Sequence, residues 1–348
     1  MASTNTLRNT GCAGLVLLVV LGGLAAQDRS SVSGPLVGFV FDKAAGIRPV
    51  LGVPGAATLG QPVMRSSGLE AVVFSPARDY ALALAPRGGQ VMLLRDLSTP
   101  GAAVGLQVAP GAARVAISPS GDVAVLYYPE AQAVSVLTGF PDAPAVSWSL
   151  AAPYLAGGLG ALAVSDEGSA VLIAAAGDQS PVWLLTPASG ARFLSYVSSS
   201  PSLAFLSKSS DAVVADAGNS TVVLVRDPAG QAETTQIGGA AEGLSRPVAV
   251  TVTADNRRVL VANSAPASVV SLSLAGEEPL ALTCNCVVTG LERLARGVTF
   301  RLSAPGESPL WLLDAASSPP RIVFVPDSAP VRRGAARRPV PVRPGGEP

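Results

Sequence analysis

The chain has 348 residues, 49% hydrophobic and only 14% charged, with a formal net charge of zero. That composition supplies a large core and excludes an intrinsically disordered protein. There is no histidine, which excludes Ser-His-Asp and Cys-His nucleophile systems, His-ligated zinc or haem, and the commonest general base.

Basic character comes from 22 Arg and 2 Lys, a bias that fits a GC-rich genome better than a binding surface. Residues 31–327 carry 22 acidic and 17 basic groups, so the body is mildly acidic and nucleic acid is not an expected partner. Aromatics are scarce at 5%, while 36 Gly and 30 Pro suit many short strands joined by tight turns.

At the N-terminus, polar residues 1–10 with one Arg precede an apolar run over residues 11–26 that closes on small residues before Gln27-Asp28-Arg29. The run suits a secretory signal and falls short of the roughly 20 residues that span a bilayer. We therefore expect a signal peptide over 1–26, cleaved near Ala26, a linker over 27–34, and a secreted or periplasmic product without a stable membrane span.

From residue 35 the pattern is short apolar strands at a two-residue period, with no sustained helical period. One unit recurs: an apolar strand, a turn of Ser, Pro, Gly or Asp, then a second apolar strand. Copies start at Val72, Val115, Leu162, Leu203, Val248 and Val298. Each is followed by a third apolar run, as in Ala133-Val-Ser-Val-Leu, and usually by a fourth. Four strands every 40–50 residues is the spacing of β-propeller blades.

The expectation is an all-β, single β-propeller over 35–327 with about six four-stranded blades. Seven is the alternative if the N-terminal hairpin is a divergent unit. Arg321-Ile-Val-Phe-Val reads as the third strand of a last repeat that ends early. The strands at 36–41 and 47–51 are therefore expected to complete that blade and close the ring.

Pro247-Val-Ala-Val-Thr-Val-Thr-Ala-Asp-Asn-Arg-Arg-Val-Leu-Val-Ala-Asn-Ser, followed by Ser268-Val-Val-Ser-Leu, resembles the YVTN-type propeller repeat. Asp216-Ala-Gly-Asn-Ser-Thr-Val-Val-Leu-Val is similar over a shorter span. Along its length the chain also resembles uncharacterised secreted propellers of acidobacteria-like bacteria. These resemblances imply fold and origin and carry no activity across, because the fold hosts unrelated functions.

Few residues carry chemistry. After signal cleavage two cysteines remain, Cys284 and Cys286, in the expected fourth strand of the fifth repeat. They read as two small core residues or as a local disulfide. Positions i and i+2 of an ideal strand lie roughly 6.5–7 Å apart, so a bridge there needs a bulge. Without histidine, two thiolates are an incomplete metal set, and neither a metal nor a cofactor is expected.

Asp79, Asp122, Asp166, Asp211 and Asp255 recur once per repeat and read as turn residues bonding their own backbone. Trp148, Trp183 and Trp311 read as wedges between blades. One face should gather the loops between blades and those between second and third strands. On it we place Arg246, Glu292, Arg293 and Arg296, with Asp216, Asn219 and Asn263. Arg246, Arg293 and Arg296 are the candidate ligand contacts, because guanidinium matches carboxylate or phosphate.

Residues 328–348, rich in Pro, Arg and Gly, are expected to be a disordered tail. The functional expectation is a non-catalytic, monomeric binding or scaffold module whose partner is an unknown protein or envelope polymer. The alternatives are a lactonase-like hydrolase working through carboxylates and a structural domain of a cell-surface assembly.

Overall fold

A computed structural model describes residues 34–97, 103–155, 157–295, 298–306 and 309–327. The expected signal peptide, nearly all of the linker, the tail and Arg296 lie outside these residues.

The strands make seven antiparallel sheets, in sequence order and with neighbours along the chain paired. Blade 1 holds β1 (Leu36–Asp42), β2 (Gly46–Leu51) and β3 (Thr58–Leu59). Blade 2 holds β4 (Ala71–Phe74), β5 (Tyr80–Leu84), β6 (Val91–Arg95) and β7 (Ala103–Gly105). Blade 3 holds β8 (Arg114–Ile117), β9 (Val123–Tyr128), β10 (Ala133–Thr138) and β11 (Ala145–Ala151). Blade 4 holds β12 (Leu159–Val164), β13 (Val171–Ala175), β14 (Ser180–Thr186) and β15 (Gly190–Val197). Blade 5 holds β16 (Ser202–Phe205), β17 (Ala212–Asp216), β18 (Thr221–Arg226) and β19 (Glu233–Gly238). Blade 6 holds β20 (Pro247–Val252), β21 (Arg258–Ser264), β22 (Ala267–Ser273) and β23 (Leu280–Thr283). Blade 7 holds β24 (Glu292–Ala295), β25 (Thr299–Arg301), β26 (Leu310–Asp314) and β27 (Arg321–Val325).

The fold is thus a single seven-bladed β-propeller, the stated alternative to six, with the N-terminal hairpin as the divergent unit. First strands of successive blades touch one another, as β8, β12, β16 and β20 do, so they line the axis. The expected start of the last repeat is displaced by one strand. Val298 leads into β25, the second strand of blade 7, and Arg321–Val325 is its fourth. The true first strand, β24, reads Glu-Arg-Leu-Ala and carries no apolar alternation to announce it.

The closure expectation is corrected for the same reason. Blade 7 is completed by its own chain, and the N-terminal strands form a blade of their own between blades 7 and 2. They meet blade 7 at the edge, where Leu59 N donates to Pro326 O at 3.0 Å and Arg48 pairs with Asp327 at 2.7 Å.

The middle strands are apolar on both faces because both faces are covered by neighbouring blades. In β5, β9, β13 and β17 every residue is buried. Between them lie tightly packed seams. The seam between blades 5 and 6, for example, interlocks Val213, Ala215, Val222 and Leu224 with Val250, Val259, Val261 and Leu272.

A shared turn follows the first strand. A buried hydroxyl accepts the amide five residues on: Ser75 from Tyr80 at 3.3 Å, Ser118 from Val123 at 3.3 Å, Ser165 from Ala170 at 3.1 Å. Thr253 repeats it with Arg258 at 3.0 Å. The aspartates do not share one position. Asp79 accepts from the Ser75 hydroxyl at 2.7 Å. Asp255 bonds within its own turn, to Thr253 at 2.6 Å and the Arg257 amide at 3.1 Å. Asp166 instead crosses between blades.

Candidate functional site

Three places could hold a ligand: the axial channel, the end bearing the second-to-third-strand turns, and a cleft between blades 6 and 7. The channel mouth is lined by Val73, Phe74, Ile117, Leu162, Phe205 and Val252, with Arg293 among them, around about 220 Å³. Its polar groups stitch blade to blade. The Arg78 guanidinium donates to Val37 O, and the Tyr80 hydroxyl to Gly121 O at 2.6 Å. Asp166 accepts from the Ser120 amide at 2.6 Å and the Lys208 amide at 2.7 Å. Asn256 exchanges bonds of 2.9 and 2.7 Å with the Ser207 backbone. Arg293 Nη2 donates to Val252 O at 2.7 Å.

Arg293 is therefore a structural cation. Its guanidinium lies 5.8 Å from the Phe300 ring centre. Burial pulls its pKa below the ordinary arginine value, and Asp166 opposes that shift.

The expected ligand face is corrected accordingly. Arg246 precedes β20, with its amide on the Ser220 hydroxyl at 3.0 Å and its carbonyl accepting from Ser264. Arg293 is tied to the other end of that same six-residue strand, roughly 17–20 Å away. The two arginines do not converge. Glu292, also placed on that face, pairs with Arg301 across the β24–β25 hairpin.

Arg246 does stand with Asp216, Asn219 and Asn263, at the end of the second-to-third-strand turns. The polar groups there are engaged. Asp216, 4% exposed, accepts the Ser198 and Gly218 amides at 2.7 and 2.9 Å and the Asn219 side chain at 2.8 Å. Asn263 is fully buried, bonding the Ser245 amide at 3.1 Å and Gly243 O at 2.9 Å.

Cys284 and Cys286 are joined by a disulfide, with their Cα atoms 5.2 Å apart. β23 has already ended at Thr283, and the chain bends at Asn285-Cys286. That bend brings the two residues closer than a regular strand allows. Cys284 packs against the cluster shared by blades 6 and 7. Trp148 donates Nε1 to Gly168 O at 2.7 Å, spanning blades 3 and 4. Trp183 packs against Tyr154, with ring centres 4.6 Å apart and planes tilted by 30°, and burial pushes the Tyr154 hydroxyl up to about 12.

The cleft between blades 6 and 7 is the feature the sequence reading missed. It encloses about 830 Å³, within the range of ligand sites. One wall is Leu260, Val269, Leu280 and Leu282 of blade 6; Val298, Leu313, Ala315 and Pro320 of blade 7 form the other. Its rim is charged. Arg257 comes from the turn after β20 and Arg258 from the start of β21, and Glu277 and Glu278 come from the turn after β22. Arg258 pairs with Glu277 and reaches Ser271 Oγ at 3.4 Å. Arg257 and Asp255 lie 3.8 Å apart, both well exposed.

The signal was present as Asp-Asn-Arg-Arg and Glu-Glu-Pro in one repeat. Those two turns fall at the same end of a four-stranded blade, so their charges meet. Among the described residues, no group of three or more Cys, Asp or Glu stands together as a metal site, and no helix is long and apolar enough to cross a membrane.

No family model and no curated protein matches the chain. Among solved structures it is similar to the hydrazine synthase of Kuenenia stuttgartiensis. That match has 11% identity and a TM-score of 0.53, covering 82% of this chain and 98% of that one. A functionally unknown protein from Desulfotomaculum acetoxidans DSM 771 matches at 13% identity and TM-score 0.45, over 70% and 74% of the two chains. In all, 1157 solved chains match, so the shape singles out no activity. What the likeness to the hydrazine synthase chain bears on is the fold alone.

Proposed function

We propose that the chain is an exported, non-catalytic binding module that holds an apolar group of an envelope partner between blades 6 and 7. The cleft carries this reading. It is the one concavity described above that joins aliphatic walls to a charged rim, the usual make-up of a recognition site. The polar groups named at the channel mouth bond from blade to blade, and Asp216 and Asn263 at the opposite end are held by the groups around them. The apolar run over 11–26, the absence of histidine and the YVTN-like repeat of blade 6 support export, non-catalysis and a bacterial surface origin.

The test uses three forms of the full chain against envelope fractions of the native host: wild type, Ser273→Trp at the end of β22, which lines the cleft, to fill it, and Arg246→Ala as a control at the other end. A partner retained by wild type and the control but lost from the filled variant supports the reading. Retention by all three would discard the cleft. Turnover of lactones, glycosides or esters, abolished by replacing one carboxylate, would replace the binding module with an enzyme.

A further inference from the structure

Two of the three tryptophans occupy one position of the repeat. Trp183 lies three residues before the end of β14 and Trp311 three residues before the end of β26, both third strands. Each stands directly opposite a phenylalanine on the fourth strand, Phe193 on β15 and Phe324 on β27. The ring centres are 5.5 and 6.0 Å apart, edge to face in both pairs. Both tryptophans turn toward the preceding blade, Trp183 against the cluster of blades 3 and 4 and Trp311 against that of blades 6 and 7.

A cross-strand aromatic pair strengthens a sheet by contact, but that role calls for no exposure. The same position holds Met92–Gly105, Ser135–Ser149, Val223–Gln236 and Val270–Ala281 in blades 2, 3, 5 and 6. The strands therefore pair there without aromatic rings. Phe193 is 41% exposed and Phe324 56%. Exposed apolar residues scattered singly are ordinary; one open pair built twice is not scattered.

In blade 4 the pair extends into a row. A β-bulge at Leu194, between the pairs Val182–Ser195 and Trp183–Phe193, shifts the alternation of β15. It brings Tyr196, 64% exposed, onto the face of Phe193 with ring centres 4.8 Å apart. Tyr154 closes the other end of the row against Trp183.

We propose that these two aromatic pairs are binding sites for a neutral polysaccharide, separate from the cleft. The electron-rich face of an aromatic ring attracts the C–H face of a sugar ring, and phenol and indole groups offer polar edges to its hydroxyls. The rings bring no formal charge, so a charged polymer gains nothing from them. Their placement favours a polymer over a membrane. Blades 4 and 7 lie three apart in a ring of seven, so the pairs face away from each other on the rim. A flat membrane reaches one of them at a time, whereas a network of repeating sugars meets both. Two-point attachment then turns weak single contacts into firm binding.

Native electrophoresis of the full chain through gels holding hydroxyethyl cellulose, galactomannan or dextran tests this. Migration should slow in at least one polymer. Phe193→Ala or Phe324→Ala should each weaken the retardation about 10-fold or more, since one attachment remains. The double alanine variant should migrate as in a plain gel. Phe193→Tyr with Phe324→Tyr keeps both rings and should keep the retardation, and a retained thermal midpoint shows that each variant is folded. A double alanine variant retarded like wild type, or a wild type that runs freely in all three polymers, would overturn the proposal. In the second case, loss of self-association or of binding to phosphatidylglycerol vesicles in the double alanine variant would assign the rings to a second copy or to a membrane instead.

Discussion

The seam between blades 5 and 6 and the seam between blades 6 and 7 are built from one repeat, yet they do different work. In the first, paired valines and leucines interdigitate from β17 to β22 with almost no exposure. In the second, Leu260, Val269, Phe300, Leu302 and Leu313 close the axial part, and the outer part opens into the cleft. The reason is local. β23, the outermost strand of blade 6, is four residues long and is followed by the Cys284-Cys286 bend. The aliphatic side chains of blade 6 there face the cleft. A propeller seam can be a core or a binding site, and the outer strands decide which.

Truncation tests that contrast most strongly. Leu272→Ala in the 5–6 seam should cost about 2–5 kcal/mol, because Leu272 is 1% exposed and a cavity would remain. Leu282→Ala in the cleft wall should cost about 1 kcal/mol, since Leu282 is only half-buried. Urea unfolding of both variants measures the difference. Equal costs would mean the two seams are packed alike.

Next comes the stitching around the axis. Tyr80→Phe leaves the buried Gly121 carbonyl without its donor and should cost about 1–3 kcal/mol by chemical denaturation. It also carries a pH signature. Burial, then the charges of Asp79 and Asp122, raise the Tyr80 pKa far above the ordinary 10.0. A folded-state value above the unfolded one gives stability that is full below pH 10 and lost as pH rises beyond it. Tyr127, Tyr128 and Tyr154 are shifted the same way by burial. Stability should fall steeply above about pH 10, and less steeply in Tyr80→Phe.

The disulfide comes third. Its loop is so short that breaking it, by Cys284→Ser with Cys286→Ser, should cost about 1–2 kcal/mol on the chain-entropy estimate. The loss should appear as faster exchange in β23 and not in β17.

The smallest effect concerns the rim. Glu277→Gln breaks a surface ion pair with Arg258 and should change stability by no more than about 1 kcal/mol, while altering affinity at the cleft. At low pH the rim responds through Asp255. The Thr253 hydroxyl bond, above all, holds its carboxyl below the ordinary 3.8. A depressed folded-state value gives stability that is present above about pH 4 and lost as pH falls below it. Asp255→Asn should flatten that acid limb slightly.

The repeat at Val72, Val115, Leu162, Leu203 and Val248 was legible because each first strand is apolar and four of the five turns carry the hydroxyl, Leu206 standing in its place after β16. Blade 7 was not, because Glu292-Arg293-Leu294-Ala295 has no period to reveal it and Val298-Thr-Phe imitates a first strand. That one displacement led to the N-terminal strands being assigned to the last blade, whereas they form the divergent unit of the seven-bladed alternative. Arg293 looked like a surface ligand because sequence shows its charge and not its bond to the Val252 carbonyl. The cleft was hidden for another reason: its walls belong to two blades, and only the gap between them makes a site.

The most direct test is a titration of the purified full chain with Nile red, a neutral apolar dye whose fluorescence reports a dry site. The account predicts one saturable site per chain, retained in Arg246→Ala and lost in Ser273→Trp with the thermal midpoint unchanged. Equal binding by the cleft-filled variant, or no binding by wild type, would contradict it.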